Sequence, residues 1–122
     1  MHEARSLQIV FPGDANHLGS LFGGTLMAWM DRAAYFAATR RSGGTCVTRK
    51  VDEIEFRVPI RVGDFVELVG TVESEGRTSM SVVVEVHRED PDGGARELCT
   101  TGRFTMVHVD GEGQPTPIPP AR

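Results

Sequence analysis

Residues 21–39 read LFGGTLMAWMDRAAYFAAT, and this stretch decides the fold. Its apolar residues, from Leu21 through Leu26, Trp29, Ala33 and Ala37, fall on nearly every face of a 3.6-residue helix. A helix that is apolar all round is a buried one, so the sequence predicts a long central helix enclosed by other elements. It closes with Arg40, Arg41, Ser42, Gly43 and Gly44. Cations there complement the negative end of the helix dipole, and glycine supplies the stop.

On both sides of this stretch the pattern changes to period two. Upstream, Leu7, Ile9 and Phe11 alternate with Ser6, Gln8 and Val10 until Pro12-Gly13 ends the run, which reads as a short strand with the odd-numbered residues as its apolar side. Downstream, alternating runs carry Ile54, Phe56, Val58 and Ile60, then Val66, Leu68 and Val72, then Met80, Val82, Val84 and Val86. A last strand runs from about Leu98 to Val109. Turn residues separate the runs, as in antiparallel sheet covered on one face. The fold class is therefore α+β, an antiparallel sheet wrapped around one long central helix. Residues 1–110 form a single domain, and residues 111–122, with Pro115, Pro117, Pro119 and Pro120, read as a disordered tail.

Composition narrows the function classes. A chain of 122 residues with 39% hydrophobic and 25% charged residues suits one soluble globular domain. Lys+Arg 13 against Asp+Glu 17 gives a formal net charge of −4. Nucleic acids and anionic membranes call for a basic surface, so neither is an expected partner. The N-terminus is not read as a signal peptide, and no segment approaches the ~20 apolar residues of a membrane span. Cys46 and Cys99 form no metal or redox motif, so they are expected as two reduced thiols in a cytoplasmic protein. The four histidines, His2, His17, His87 and His108, are scattered, and no metal site is expected. There is no P-loop, Rossmann glycine fingerprint, GxSxG elbow or HExxH, and no cofactor is expected.

Chemistry concentrates between Phe11 and Asp31. Asp31 stands mid-helix, and its neighbours three and four residues away are Met27, Ala28, Ala34 and Tyr35, none a cation. An unpaired buried carboxylate is costly. Either Asp31 meets solvent at a gap in the sheet, or it pairs with a distant arginine, or it serves a site. Gly23-Gly24 opens the same helix, where free N–H groups can meet a carbonyl oxygen; simple packing against the sheet is the competing explanation. Asn16, in the preceding loop, can orient water or a carbonyl, or merely shape a turn. Arg77, Thr78 and Ser79 follow Gly76 in a turn offering a guanidinium, hydroxyls and N–H groups to a phosphate or amide.

These blocks resemble the hotdog-fold acyl-CoA thioesterases, the acyl-CoA hydrolase group of bacteria and mammals. The resemblance rests on Pro12, Asp14, Asn16, Gly19, Phe22-Gly23-Gly24, Met27 and Met30-Asp31. Phe56, Pro59 and Val62-Gly63-Asp64 add a second block, and Gly76-Arg77-Thr78-Ser79 a third. It implies hydrolysis of an acyl-CoA substrate to free CoA and carboxylic acid, with Asn16 and Asp31 as catalytic residues contributed by different protomers. It further implies that the Gly23 and Gly24 N–H groups polarise the thioester, and that the chain is at least a homodimer, assembled as a trimer of dimers. His17-Leu18 and Arg57-Val58 depart from the family pattern. Two alternatives are a hotdog hydratase or dehydratase, which lacks its expected histidine because Val10 occupies that place, and a non-catalytic acyl-CoA-binding module.

Overall fold

The computed structural model describes residues 3–121. Strand β1 (Glu3–Ile9) leads through a 3-10 turn at Pro12–Asp14 into helix α1 (Gly23–Ser42). Four strands follow: β2 (Thr45–Phe56), β3 (Phe65–Glu75), β4 (Ser79–Glu89) and β5 (Arg96–Val109). All pair antiparallel in one sheet of order β1-β3-β4-β5-β2. This is the expected hotdog architecture, with α1 lying along the concave face.

The concave face is built by alternate residues of neighbouring strands. Val66 and Leu68 on β3, Met80, Val82, Val84 and Val86 on β4, and Phe104 and Met106 on β5 are all buried. They meet Leu26, Trp29, Met30, Ala33, Ala34, Ala37 and Ala38 of α1. Gly43 ends the helix in the left-handed region at φ 70°, with its N–H donating to the Thr39 carbonyl at 2.7 Å.

Four sequence expectations need correction. The helix is not buried all round, because the sheet covers one side; Phe22, Met27, Tyr35 and Phe36 are exposed on the other. The first strand has its faces reversed: Ser6 and Gln8 lie opposite Leu68 and Val66 and so face the helix, while Leu7 and Ile9 point outward and are exposed. Strand β2 begins at Thr45, well before the alternating run, because it tracks β5 through two register shifts, between Thr48 and Lys50 and between Asp52 and Glu55. Glu53 at the second shift takes φ 55°, a left-handed conformation that bends the strand.

The fourth correction concerns the proline-rich tail, which docks instead of straying. Pro115 bridges to Val109, the Thr116 N–H donates to the His108 carbonyl at 2.9 Å, and the Ile118 N–H to the Arg77 carbonyl at 2.9 Å. Ile118 packs against the core, and Arg41 Nη1 donates to the Pro119 carbonyl at 2.9 Å. Prolines fix φ at a value suited to an extended strap, so composition alone mimics a loose end.

Asp110 turns the chain into that strap: its Oδ1 accepts from the Glu112 and Gln114 N–H groups at 2.9 and 3.0 Å. Those bonds, Gln114 first, hold its carboxyl below the usual range. A depressed folded pKa gives a contribution complete above the unfolded value of ~3.9 and lost as pH falls through the folded one. We expect Asp110→Ala to speed amide exchange at Thr116 and Ile118 at neutral pH, with helix amides unaffected. The parent should show the same local loosening only as the pH drops below ~4.

Candidate active site

The loop from Val10 to Leu21 is sewn to the segment following β2. Val10 N–H donates to the Asp64 carbonyl at 3.1 Å, Gly63 N–H to Val10 at 2.9 Å, and Leu21 N–H to Ile60 at 2.7 Å. The Asp64 carboxylate accepts from the Arg61 N–H at 2.9 Å and from Arg88 Nε at 3.1 Å. Hydrogen bonds to Asp64, Asp90 and Glu97 push the Arg88 guanidinium above its usual value, keeping this brace charged.

Within the loop, Asn16 Oδ1 accepts from the Leu18 N–H at 2.9 Å and the Ser20 N–H at 3.1 Å. The turn therefore uses the oxygen end of the amide. Among the described residues nothing accepts from Nδ2, so the end of Asn16 available for chemistry is a donor.

Helix α1 starts uncapped. Phe22 takes the N-cap position with no side-chain bond, and the Leu26 N–H reaches the Phe22 carbonyl at 3.0 Å. The N–H groups of Gly23, Gly24 and Thr25 precede that first helical bond and lack intrahelical partners. A β-carbon on Gly24 would meet nothing within 4 Å, and one on Gly23 would lie 3.7 Å from the Phe56 ring. Neither position needs glycine for packing within the chain.

Asp31 sits two turns further on, in an exposed column with Met27 and Tyr35. It is half-buried, not enclosed as the sequence suggested. The Thr48 hydroxyl of β2 donates to its Oδ1 and lies 3.5 Å from Met106 Sδ. No arginine or lysine among the described residues pairs with it. Thr48 was missed in the sequence because a threonine in a strand carries no signal; only the pairing of β2 beside α1 brings it to the carboxylate.

The structure separates the remaining candidates. No hydrogen bond joins Asn16 to Asp31 within the chain. The turn holding Arg77, Thr78 and Ser79 lies near the C-terminal end of α1, where Arg41 Nη2 donates to Glu75 Oε1 at 2.9 Å. Twenty helical residues span ~30 Å, so Gly23 and Gly24 share no single-chain site with that turn. The Arg77 and Thr78 carbonyls are occupied by the Ile118 and His108 N–H groups at 2.9 and 2.8 Å.

A cavity of about 340 Å³ opens beside Gly23. Its rim includes Phe56 and Arg57, and Leu21, Leu26, Ile60 and Thr100 line its interior. Burial pushes the Cys46 and Cys99 thiols up, and neither lines this cavity. Among the described residues no cluster of three or more His, Cys, Asp or Glu side chains is placed to hold a metal, and no helix is long and apolar enough to cross a membrane.

An uncapped helix start, a donor amide in a braced loop and a carboxylate held by a threonine are groups of the kind acyl transfer calls for, and the chain belongs to the thioesterase superfamily, whose family model matches residues 18–95. It is 40% identical over 110 residues to the uncharacterized acyl-CoA thioester hydrolase YkhA of Bacillus subtilis. That match covers 90% of this chain but 64% of the relative. A hexameric acyl-CoA thioesterase superposes with a TM-score of 0.92 at 40% identity, covering 96% of this chain and 75% of that one. The acyl-CoA hydrolase of Staphylococcus aureus, solved with butyryl-CoA and CoA, gives a TM-score of 0.90 at 36% identity over 96% of this chain and 71% of that one. Alanine variants of that enzyme have been solved at an asparagine, an aspartate and a threonine. Their spacing along that chain equals the spacing of Asn16, Asp31 and Thr48 here.

Because Gly24 has open space around it, we expect Gly24→Ala to fold with an unchanged or higher Tm, alanine being the better helix former. Turnover should nevertheless drop on the role that the family resemblance implies for the Gly24 N–H, because an oxyanion-hole donor is typically worth ~3 kcal/mol and a β-carbon crowds the approach to it. Thermal melts alongside steady-state rates check both halves.

Proposed function

We propose that the chain hydrolyses acyl-CoA thioesters to free CoA and the carboxylic acid, acting in the cytoplasm as a homodimer at least and as a trimer of dimers. The observation that carries this reading is the setting of Asp31. Its carboxylate is fixed by Thr48 on a helix face whose neighbours, Met27, Tyr35 and Phe36, are exposed apolar side chains. Beside it runs β2, twelve residues long and paired on one side only. A second copy laid along that edge covers the apolar face and brings Asn16 of one protomer towards Asp31 of the other. The hexameric relative supports such an assembly.

In this arrangement the thioester oxygen enters the first turn of α1 and receives the Gly23 and Gly24 N–H groups. The dipole end and the free donors favour the negative charge that develops there. Thr48 occupies Oδ1 of Asp31, so Oδ2 faces the reaction. It either removes a proton from an attacking water or attacks the carbonyl carbon itself. On the first route the tetrahedral adduct collapses with loss of the C–S bond, the sulfur takes up the proton removed from water, and water's oxygen ends in the acid. On the second, attack expels the thiolate and leaves a mixed anhydride with Asp31. Water then opens that anhydride at the Asp31 carbonyl carbon, so its oxygen stays in Asp31, the acid departs with an Asp31 oxygen, and the proton released goes to the thiolate. A thiolate leaves readily without a strong acid beside it, and Asn16 Nδ2 is a suitable donor to hold the water or the acyl oxygen. Water is the co-substrate, and no cofactor enters. Arg77, Thr78 and Ser79, remote from Gly24 in one chain, act on the CoA portion of a substrate bound at a neighbouring protomer's helix.

Asp31→Asn keeps the volume and removes the charge. It should lower kcat at least ~100-fold while CoA binding changes little; comparable kcat in variant and parent would reject the assignment. Single turnover of the parent in heavy-oxygen water separates the two routes: label in Asp31 marks an anhydride, label in the acid alone marks a general base. Assembly is checked by diluting the enzyme under light scattering. Activity should disappear with the dimer, and an active monomer contradicts a site shared between protomers.

A further inference from the structure

The cavity beside Gly23 is apolar at depth except at one point. Thr100, on β5 opposite Phe56 and Val86, is fully buried, and among the described residues its Oγ1 has no hydrogen-bond partner. It sits on the concave side of the sheet, facing the first turns of α1. Exposure distinguishes mouth from floor: Gly23, Phe56 and Arg57 are open to solvent, whereas Leu26, Ile60 and Thr100 are buried. An orphan hydroxyl in such a place costs stability, and replacing it with an apolar group of the same shape is normally neutral or favourable. A valine fits the same alternation in β5, yet threonine stands there. Nor is the floor suited to a lone bound water, which needs two to four polar partners; the buried side chains that share it with Thr100, Leu21, Leu26 and Ile60, are aliphatic.

We infer that Thr100 is a specificity-determining residue, and that the cavity takes acyl groups carrying an oxygen of their own, a hydroxyl or keto group, beyond the thioester. This rests on the thioesterase reading. With the thioester carbonyl at Gly23 and Gly24, the chain runs inward past Leu21 and Leu26, and its distal oxygen meets Thr100 Oγ1. An unsubstituted acyl chain fills the same space but leaves the hydroxyl unpaired. A site with a buried polar group discriminates against the ligand that cannot satisfy it.

The test is CoA release from matched pairs differing by one oxygen, butyryl- against 3-hydroxybutyryl-CoA and hexanoyl- against 5-hydroxyhexanoyl-CoA, with the intact oligomer. The parent should favour the hydroxylated member of at least one pair by about tenfold in kcat/KM, the scale of one net hydrogen bond. Thr100→Val should abolish that preference by slowing the hydroxylated ester while butyryl- or hexanoyl-CoA is cleaved as fast or faster. Thr100→Ser should restore it. If Thr100→Val does not fold, Thr100→Cys, similar in size and a weaker donor, carries the comparison. No preference in the parent, or the same preference in the substituted proteins, overturns the inference while hydrolysis of the plain esters still upholds the thioesterase reading. A parent that cleaves none of the four esters overturns both.

Discussion

Everything in this molecule depends on how closely α1 approaches the sheet. At Gly70 on β3, a β-carbon would stand 2.7 Å from the Ala33 carbonyl oxygen, and at Gly102 on β5 it would stand 2.9 Å from the Met30 methyl. The first contact is with backbone, which cannot swing aside. Small residues on both surfaces, Ala33 and Ala37 against Gly70, let the helix lie directly on the strand. Overpacking a core usually costs ~1–3 kcal/mol, and here it would also lift the helix from the strands that curve round it.

That seating fixes what remains outside. A five-stranded sheet curved round one helix covers one side of it, so Met27, Asp31 and Tyr35 are left on the opposite side. The same wrapping leaves β2 at an edge, with its side chains next to that uncovered helix face. Exposed long edges are normally blunted or covered, and an apolar helix face beside one supplies a reason for a second protomer. The carboxylate thus stands, half-buried, on the helix face that a single chain leaves uncovered.

The helix start shows the same economy. Phe22 provides no capping side chain, so the donors of the first turn stay available, and the position of that turn comes from backbone bonds between the Val10–Leu21 loop and residues 60–64. Asp64 and Arg88 brace this loop from behind. Asn16 is consequently held by its oxygen and offers its nitrogen, a polarity set by Leu18 and Ser20 and not by the residue type.

By itself the sequence determined the elements and their order. Period two in the downstream runs, the apolar helix and its arginine–glycine close are local signals, each written in adjacent residues. It also marked Asp31, Gly23 and Gly24, because an acid without a cation and glycines at a helix start stand out in one dimension, whereas Asn16 took its role only from the family resemblance. Tertiary structure decided the rest. Which face of β1 meets the core follows from pairing with β3, and the odd-numbered apolar residues gave the opposite impression. The docking of the tail depends on hydrogen bonds to His108 and Arg77, which its prolines cannot announce. Thr48 and Thr100 are ordinary strand threonines until β2 lies beside α1 and β5 lies beneath its first turns. The reason is common to all of these: a hydrogen bond between groups distant in sequence is a property of two surfaces brought together, and neither surface encodes the meeting alone.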